Sequence, residues 1–229
     1  IYLGADVVTM DDSNPAAEAV AVRAGRITAV GTRADVLAGR QGPGTRTVDL
    51  GGCTLLPGFV DPHSHYINSL SVANQVNVFA PPAGPGADVP AILTALRDFR
   101  DAHPIPPGEM LVAYGYDDTL MPGGRTLSRD DLDTDFPDTP VLVGHVSMHG
   151  AVLNSAALRK FGITADTQTP PGGVIVRKDG SDEPDGLVME TAFLPIFAAM
   201  PKPTPAQEVA WSLAGQRLYA AAGITTAHE

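Results

Sequence analysis

Cysteine is almost missing from this chain. Cys53 stands alone, so no intrachain disulfide can form, and a reducing compartment is the default. Basic residues are scarce as well. Lys and Arg number 15 against 26 Asp and Glu, a formal charge of -11, which argues against the clustered positive surface that nucleic acid requires. No apolar run approaches the roughly 20 residues of a membrane-spanning helix. No signal-peptide pattern is visible either, so the cytoplasm is the expected location. Neither GxGxxG nor GxxxxGK[ST] occurs, which counts against a nucleotide site.

What remains is an ordinary globular composition over 229 residues, 44% hydrophobic and 18% charged, enough for one or two domains with a real core. The sequence opens on a strand-like run at Ile1 and stops inside another at Glu229. A fragment of a longer protein is therefore expected.

The first sixty residues read as short strands. "YLGADVVTM" is β-rich, "DDSNP" is a turn cluster, and "EAVAVRAGRITAVG" predicts a hairpin about Ala24-Gly25. "TRADVLAG" predicts a short helix, and "GTRTVDLGGCTLLPG" two further strands. After Pro57 the character changes. "GFV" reads as a short buried parallel strand. Helices and strands then alternate: "DVPAILTALRDFRDAH", "EMLVAYGY", "LSRDDLDTDF" with Ser128 as N-cap, "PVLVGHVS", and "NSAALRKFGI" capped by Asn154. "GGVIVRKDGSDEPDGLVM" reads as a hairpin excursion with Asp179-Gly180 at its tip. Its acidic residues lack EF-hand order. "TPAQEVAWSLAGQRLYAAAG" is the clearest helix, with Thr204 as N-cap and Gln207 completing a capping box. "ITTAHE" is the next strand. This alternation implies a parallel sheet, either a barrel or a doubly wound sheet.

The chemistry concentrates in "DPHSH". On a strand, residues i and i+2 share a face, so His63 and His65 are expected to project together from the end of "GFV". Two imidazoles so placed could chelate zinc or a similar divalent cation. Asp61 on the same face could orient one ring. The spacing alone also suits two solvated histidines at a strand end.

"TLLPGFVDPHSHY" after a small β-unit resembles the signature of the amidohydrolase superfamily. "PGGRTLSRDDLDTDFPDTPVLVGHVSMHGAVLNSAALRKFGIT", "GLVMETA" and "AAGITTAHE" resemble its family 3 branch, which includes YtcJ-like proteins and N-substituted formamide deformylase. The resemblance implies an α/β architecture: a (β/α)8 TIM-type barrel, of which only the first part is present, with a small N-terminal β-sandwich. Residues 1–57 would form part of the sandwich. Residues 58–229 would begin the barrel, with the hairpin inserted near 172–186. It also implies hydrolysis of an amide or related C–N bond by a metal-activated water. One or two zinc ions would be held by His63 and His65, with later ligands and the general base beyond Glu229.

Other residues carry two readings each. Glu190 is a carboxylate ligand to the metal or an acid at a helix start. His149 contacts substrate or is a hydrogen-bonded loop histidine. Tyr114, Tyr116 and Asp117 end a strand and could line a pocket. His145 reads as a satisfied core histidine, His103 as solvated, Cys53 as packed. His228 and Glu229 are well placed but lack following context. Phe193, Leu194, Phe197 and Met200 read as a core stripe, and Trp211, Leu218 and Ala222 as core-facing. The expected partners are a small-molecule substrate, the remaining C-terminal part of the enzyme and, as an open alternative, further copies of the chain. Nucleic acid and membrane are not expected. The alternatives to an amidohydrolase are a barrel that binds without catalysis and a hydrolase of a cyclic amide or ester.

Overall fold

The computed structural model describes residues 1–200 and 202–229. The chain divides into two compact units, one of Ile1–Ser64 with Tyr219–Glu229 and the other of His65–Leu218.

The first unit begins with β1 (Tyr2–Val8), β2 (Ala16–Arg23) and β3 (Arg26–Gly31), successive antiparallel neighbours. Ala24 and Gly25 both adopt positive φ, 51° and 73°. That is the backbone of a tight two-residue hairpin turn, as the sequence predicts. Helix α1 (Arg33–Arg40) starts at Thr32, whose Oγ1 accepts from the Asp35 amide at 3.2 Å. β4 (Val48–Asp49) and β5 (Thr54–Leu55) both run parallel to β1. Glycine suits position 4, where the backbone takes φ 70°, a conformation that residues with a side chain rarely adopt. Ile1, Leu3, Ala19, Ala21 and Val36 form the core between sheet and helix. Cys53, expected to pack, is instead exposed, because it sits in the turn entering β5. β6 (Phe59–Asp61) follows.

The second unit contains α2 (Tyr66–Val72), β7 (Val76–Asn77), α3 (Val89–Ala102), β8 (Leu111–Tyr116), α4 (Arg129–Asp135), β9 (Val141–His145), β10 (Gly150–Leu153), α5 (Ser155–Lys160), β11 (Gly173–Arg177), β12 (Pro184–Glu190) and α6 (Leu194–Ala198). Helix α7 (Pro205–Ala221) follows, and β13 (Ile224–Ala227) pairs parallel to β6 in the first unit. The expected caps form: Ser128 makes a reciprocal box with Asp131, and Thr204 and Gln207 exchange bonds at the start of α7. Among the described residues no helix is long and apolar enough to cross a membrane.

The six-stranded sheet of this unit has the order β11-β12-β10-β9-β8-β7. β7, β8 and β9 are parallel, and β10, β12 and β11 are added antiparallel. Side chains alternate across it. Val141 and Val143 enter a core with Ile92, Leu96, Leu132 and Phe136, while Leu142 enters a second core with Leu153, Leu158 and Val188. Burial on both faces explains why "VLV" is an unbroken apolar run.

The 173–190 hairpin joins this sheet, where β12 pairs antiparallel along β10. Its Val188 is fully buried, which commits that strand to the core. Of the expected core stripe, Phe193 is buried but Leu194 and Phe197 are more than 60% exposed, because α6 is too short to turn all of them inward. On α7 only Gly215 is buried. Leu218 and Ala222 are exposed, and Trp211 is partly so. A Cβ at Gly215 would crowd Ser69 and Leu70, so α7 passes these residues at a position without a side chain.

Burial pushes the Asp185 carboxyl of β12 above the usual carboxylate range, with Lys178 opposing and Asp130 reinforcing the shift. The folded state keeps this proton to higher pH than the unfolded chain does. Stability is therefore lost as pH rises through the carboxylate range, and the penalty persists above it. Asp185→Asn is expected to raise the thermal midpoint at neutral pH. The gain should vanish in acid, where both states carry the neutral group. A scan of midpoint against pH checks this.

Candidate functional site

The segment Asp61–His65 begins where β6 stops. Asp61 is the last ladder residue, and Pro62 has no amide hydrogen to continue the pairing. The Asp61 carboxylate turns back to accept from the His63 amide at 3.2 Å, a local turn that side chains of this type form readily. Asp61 thus holds backbone by that bond, rather than the ring it was expected to orient. Ser64 is buried and anchors the stretch. Its amide donates to the His228 carbonyl at 2.7 Å, and its Oγ lies 2.5 Å from the Tyr219 hydroxyl. His65 is the N-cap of α2, and its carbonyl accepts from Ser69. The two histidines are therefore not alternate residues of one strand: His63 lies in the turn and His65 at a helix start. Both are exposed, on either side of the boundary between the units.

Within the second unit, His149 and Glu190 come together. His149 Nδ1 lies 3.1 and 3.3 Å from the two Glu190 carboxylate oxygens, and the Glu190 amide donates to the His149 carbonyl at 2.7 Å. The β10–β12 ladder, with Gly150 opposite Met189, sets this pairing. Glu190 is thus the end of a strand and not the start of a helix. Two non-glycine residues at this point hold left-handed backbone, Met148 at φ 63° and Glu190 at φ 56°. Such strain persists only where the surroundings enforce it, and it collects at functional sites.

At the end of β8, Tyr114 meets the edge of Phe79 with ring centroids 5.6 Å apart, and burial pushes its hydroxyl pKa up. Tyr116 belongs to the core, its oxygen accepting from the Leu127 amide at 2.9 Å. Asp117 Oδ1 caps the following 3₁₀ turn through the amide and hydroxyl of Thr119, at 3.0 and 2.6 Å. His145 is satisfied, as expected, by Asp118 and Ser147. Asp118 does not stand out in the sequence as a partner, because its pairing depends on two strand ends that meet only in the sheet, whereas Ser147 lies just two residues on. His103 is exposed, as expected, and stacks on Phe99.

The donor types at His63, His65 and Glu190 suit zinc or a similar cation. Their number does not complete a centre: among the described residues no three of His, Cys, Asp or Glu form a metal-binding group.

A sequence model of the amidohydrolase family matches residues 46–229. The chain belongs to that family. The matched span of this amidohydrolase segment contains His63, His65, His149 and Glu190. The segment is 33% identical over 201 residues to the protein named YtcJ of Bacillus subtilis (strain 168), covering 88% of this chain and 36% of that one. It is 34% identical over 192 residues to the N-substituted formamide deformylase of Arthrobacter pascens, covering 84% of this chain and 34% of that one. The chain thus spans about a third of the length of these curated relatives. An uncharacterized metal-dependent hydrolase of Pyrococcus furiosus shares the fold, with a TM-score of 0.57 at 18% identity over 99% of this chain and 43% of the other.

Proposed function

We propose that the full-length protein is a metal-dependent amidohydrolase that cleaves an amide or related C–N bond of a small molecule. The family match across residues 46–229, enclosing both histidine sites, carries this reading. His63, His65 and Glu190 would supply part of the ligand set for zinc, and the rest, with the general base, would come from outside this segment. When bound, the cation supplies Lewis acidity to the scissile carbonyl and the attacking water. In the same reading residues 1–57 are part of a β-sandwich, residues 58–229 begin a (β/α)8 barrel, and the protein works in the cytoplasm.

The chain's own residues have distinct roles. A carboxylate that ligates metal is ordinarily hydrogen-bonded in turn, and His149 Nδ1 gives Glu190 that bond. His149 Nε2 is then left to meet the substrate, accepting an N–H when neutral or donating when protonated. Tyr114 and Asp117 would contact the same molecule. Water adds its oxygen to the carbonyl carbon, the C–N bond breaks, and the departing nitrogen gains a proton.

Chelation of the full-length protein tests this. It is expected to abolish hydrolysis of an N-substituted formamide, the substrate class named for the Arthrobacter relative. Added zinc is expected to restore it. Undiminished turnover in protein shown to be free of metal would remove the proposal. A protein that holds metal yet hydrolyses neither amides nor cyclic amides and esters would favour the binding alternative.

A further inference from the structure

We propose that Asp118, His145 and Ser147 form a one-way hydrogen-bond relay that positions His149 against Glu190. The inference rests on the reading above, in which His149 faces substrate and Glu190 helps to hold metal.

The relay begins where β8 and β9 end. Asp118 opens the 3₁₀ turn after β8, and its Oδ1 lies 3.0 Å from His145 Nε2. His145 is the last residue of β9, and its side chain is only 13% exposed, packed edge-on to the Tyr116 ring. Its other nitrogen, Nδ1, receives the Ser147 amide at 3.1 Å and lies 2.7 Å from Ser147 Oγ. Ser147 Oγ in turn accepts from the His149 amide at 3.2 Å.

These partners decide the tautomer. The Ser147 amide can only donate, so Nδ1 must present its lone pair. A carboxylate can only accept, so Nε2 must carry the hydrogen. With Nδ1 accepting and Ser147 Oγ already accepting from His149, the Ser147 hydroxyl donates to Nδ1. Every donor then points the same way: His149 amide to Ser147, Ser147 to His145, His145 to Asp118. Reversing one member would set two donors against each other at Nδ1.

The relay has a mechanical consequence. Between Ser147 and His149 the chain must pass Met148 in left-handed backbone. Two bonds hold that turn closed: the Met148 amide to the His145 carbonyl at 2.9 Å, and the His149 amide to Ser147 Oγ. On leaving the turn, His149 enters β10 with its ring on Glu190. Asp118, His145 and Ser147 need not touch substrate. They act through the placement of His149 and are positioning residues.

The test uses full-length protein labelled with ¹⁵N-histidine. Long-range ¹H–¹⁵N correlations separate the two kinds of ring nitrogen. They are expected to show His145 with hydrogen on Nε2 and a bare Nδ1; hydrogen on Nδ1 would overturn the relay. Ser147→Ala is expected to shift the ring resonances of His149. It should also lower kcat for an N-substituted formamide about tenfold, at unchanged metal content and thermal midpoint. Ser147→Thr, which keeps the hydroxyl, should restore both. Unmoved His149 resonances in Ser147→Ala would overturn the proposal. Should the wild type hydrolyse no formamide, the hydrolase reading alone fails, and the ring-nitrogen measurements still decide the relay.

Discussion

Asn154→Ala is expected to destabilise the protein by roughly 3–5 kcal/mol, read as a shift in the urea unfolding midpoint. The side chain is fully buried. Its Oδ1 accepts from the Val141 amide and the Ala157 amide, each at 2.9 Å. Its Nδ2 donates to the Phe136 carbonyl at 2.7 Å and the Thr139 carbonyl at 2.9 Å. One amide group therefore joins the end of α4, the start of β9 and the first turn of α5. Truncation strands several buried polar groups at about 1–3 kcal/mol each and removes a helix cap. Asn154→Asp provides the control. It keeps the size but sets a carboxylate oxygen against two carbonyl oxygens. It should cost as much at neutral pH and less in acid, where the neutral acid regains one donor. A loss below about 1 kcal/mol in the alanine variant would show that this network does not hold the unit together.

His63→Ala combined with His65→Ala is expected to empty the full-length protein of its metal and to remove turnover. The loss should exceed the roughly 10–100-fold typical of residues that only support a ligand. Each imidazole supplies one nitrogen, and a catalytic zinc generally has three protein ligands, so losing two leaves no competent set. The backbone at both positions is held by bonds that survive the change: the Asp61 carboxylate to the residue 63 amide, and the residue 65 carbonyl to Ser69. Folding should therefore persist. Elemental analysis together with formamide turnover gives the result. Cys53→Ala serves as the comparison, since its exposed thiol lies in the turn before β5 and is expected to leave both quantities unchanged. Full metal content in the double histidine variant would contradict the assignment of the ligands.

Much of the local structure was legible because its causes are local. Ser128, Asn154 and Thr204 all cap the helices that follow them, since a short oxygen-bearing side chain can reach an amide two or three residues ahead. The turns at Ala24-Gly25 and at Asp179-Gly180 were equally plain, with glycine at positive φ in each. The family resemblance was also readable, because its motifs are contiguous. β10 was missed: "GAVL" is a four-residue apolar run directly before a cap. Only its neighbours β9 and β12 make it a strand. The two-residue strand β7 exists for the same reason, since so short a run has no pattern of its own.

The sequence by itself determined the helix starts, the tight turns, the family and the residue types available for chemistry, because each depends on neighbours along the chain. Only the tertiary structure decided that His63 sits in a turn and His65 at a helix start, and that His149 meets Glu190. The same holds for Asp118, His145 and Ser147, which link two strand ends far apart in sequence. Such pairings are set by ladder register and by packing on both faces of a sheet, and residue order alone does not encode them.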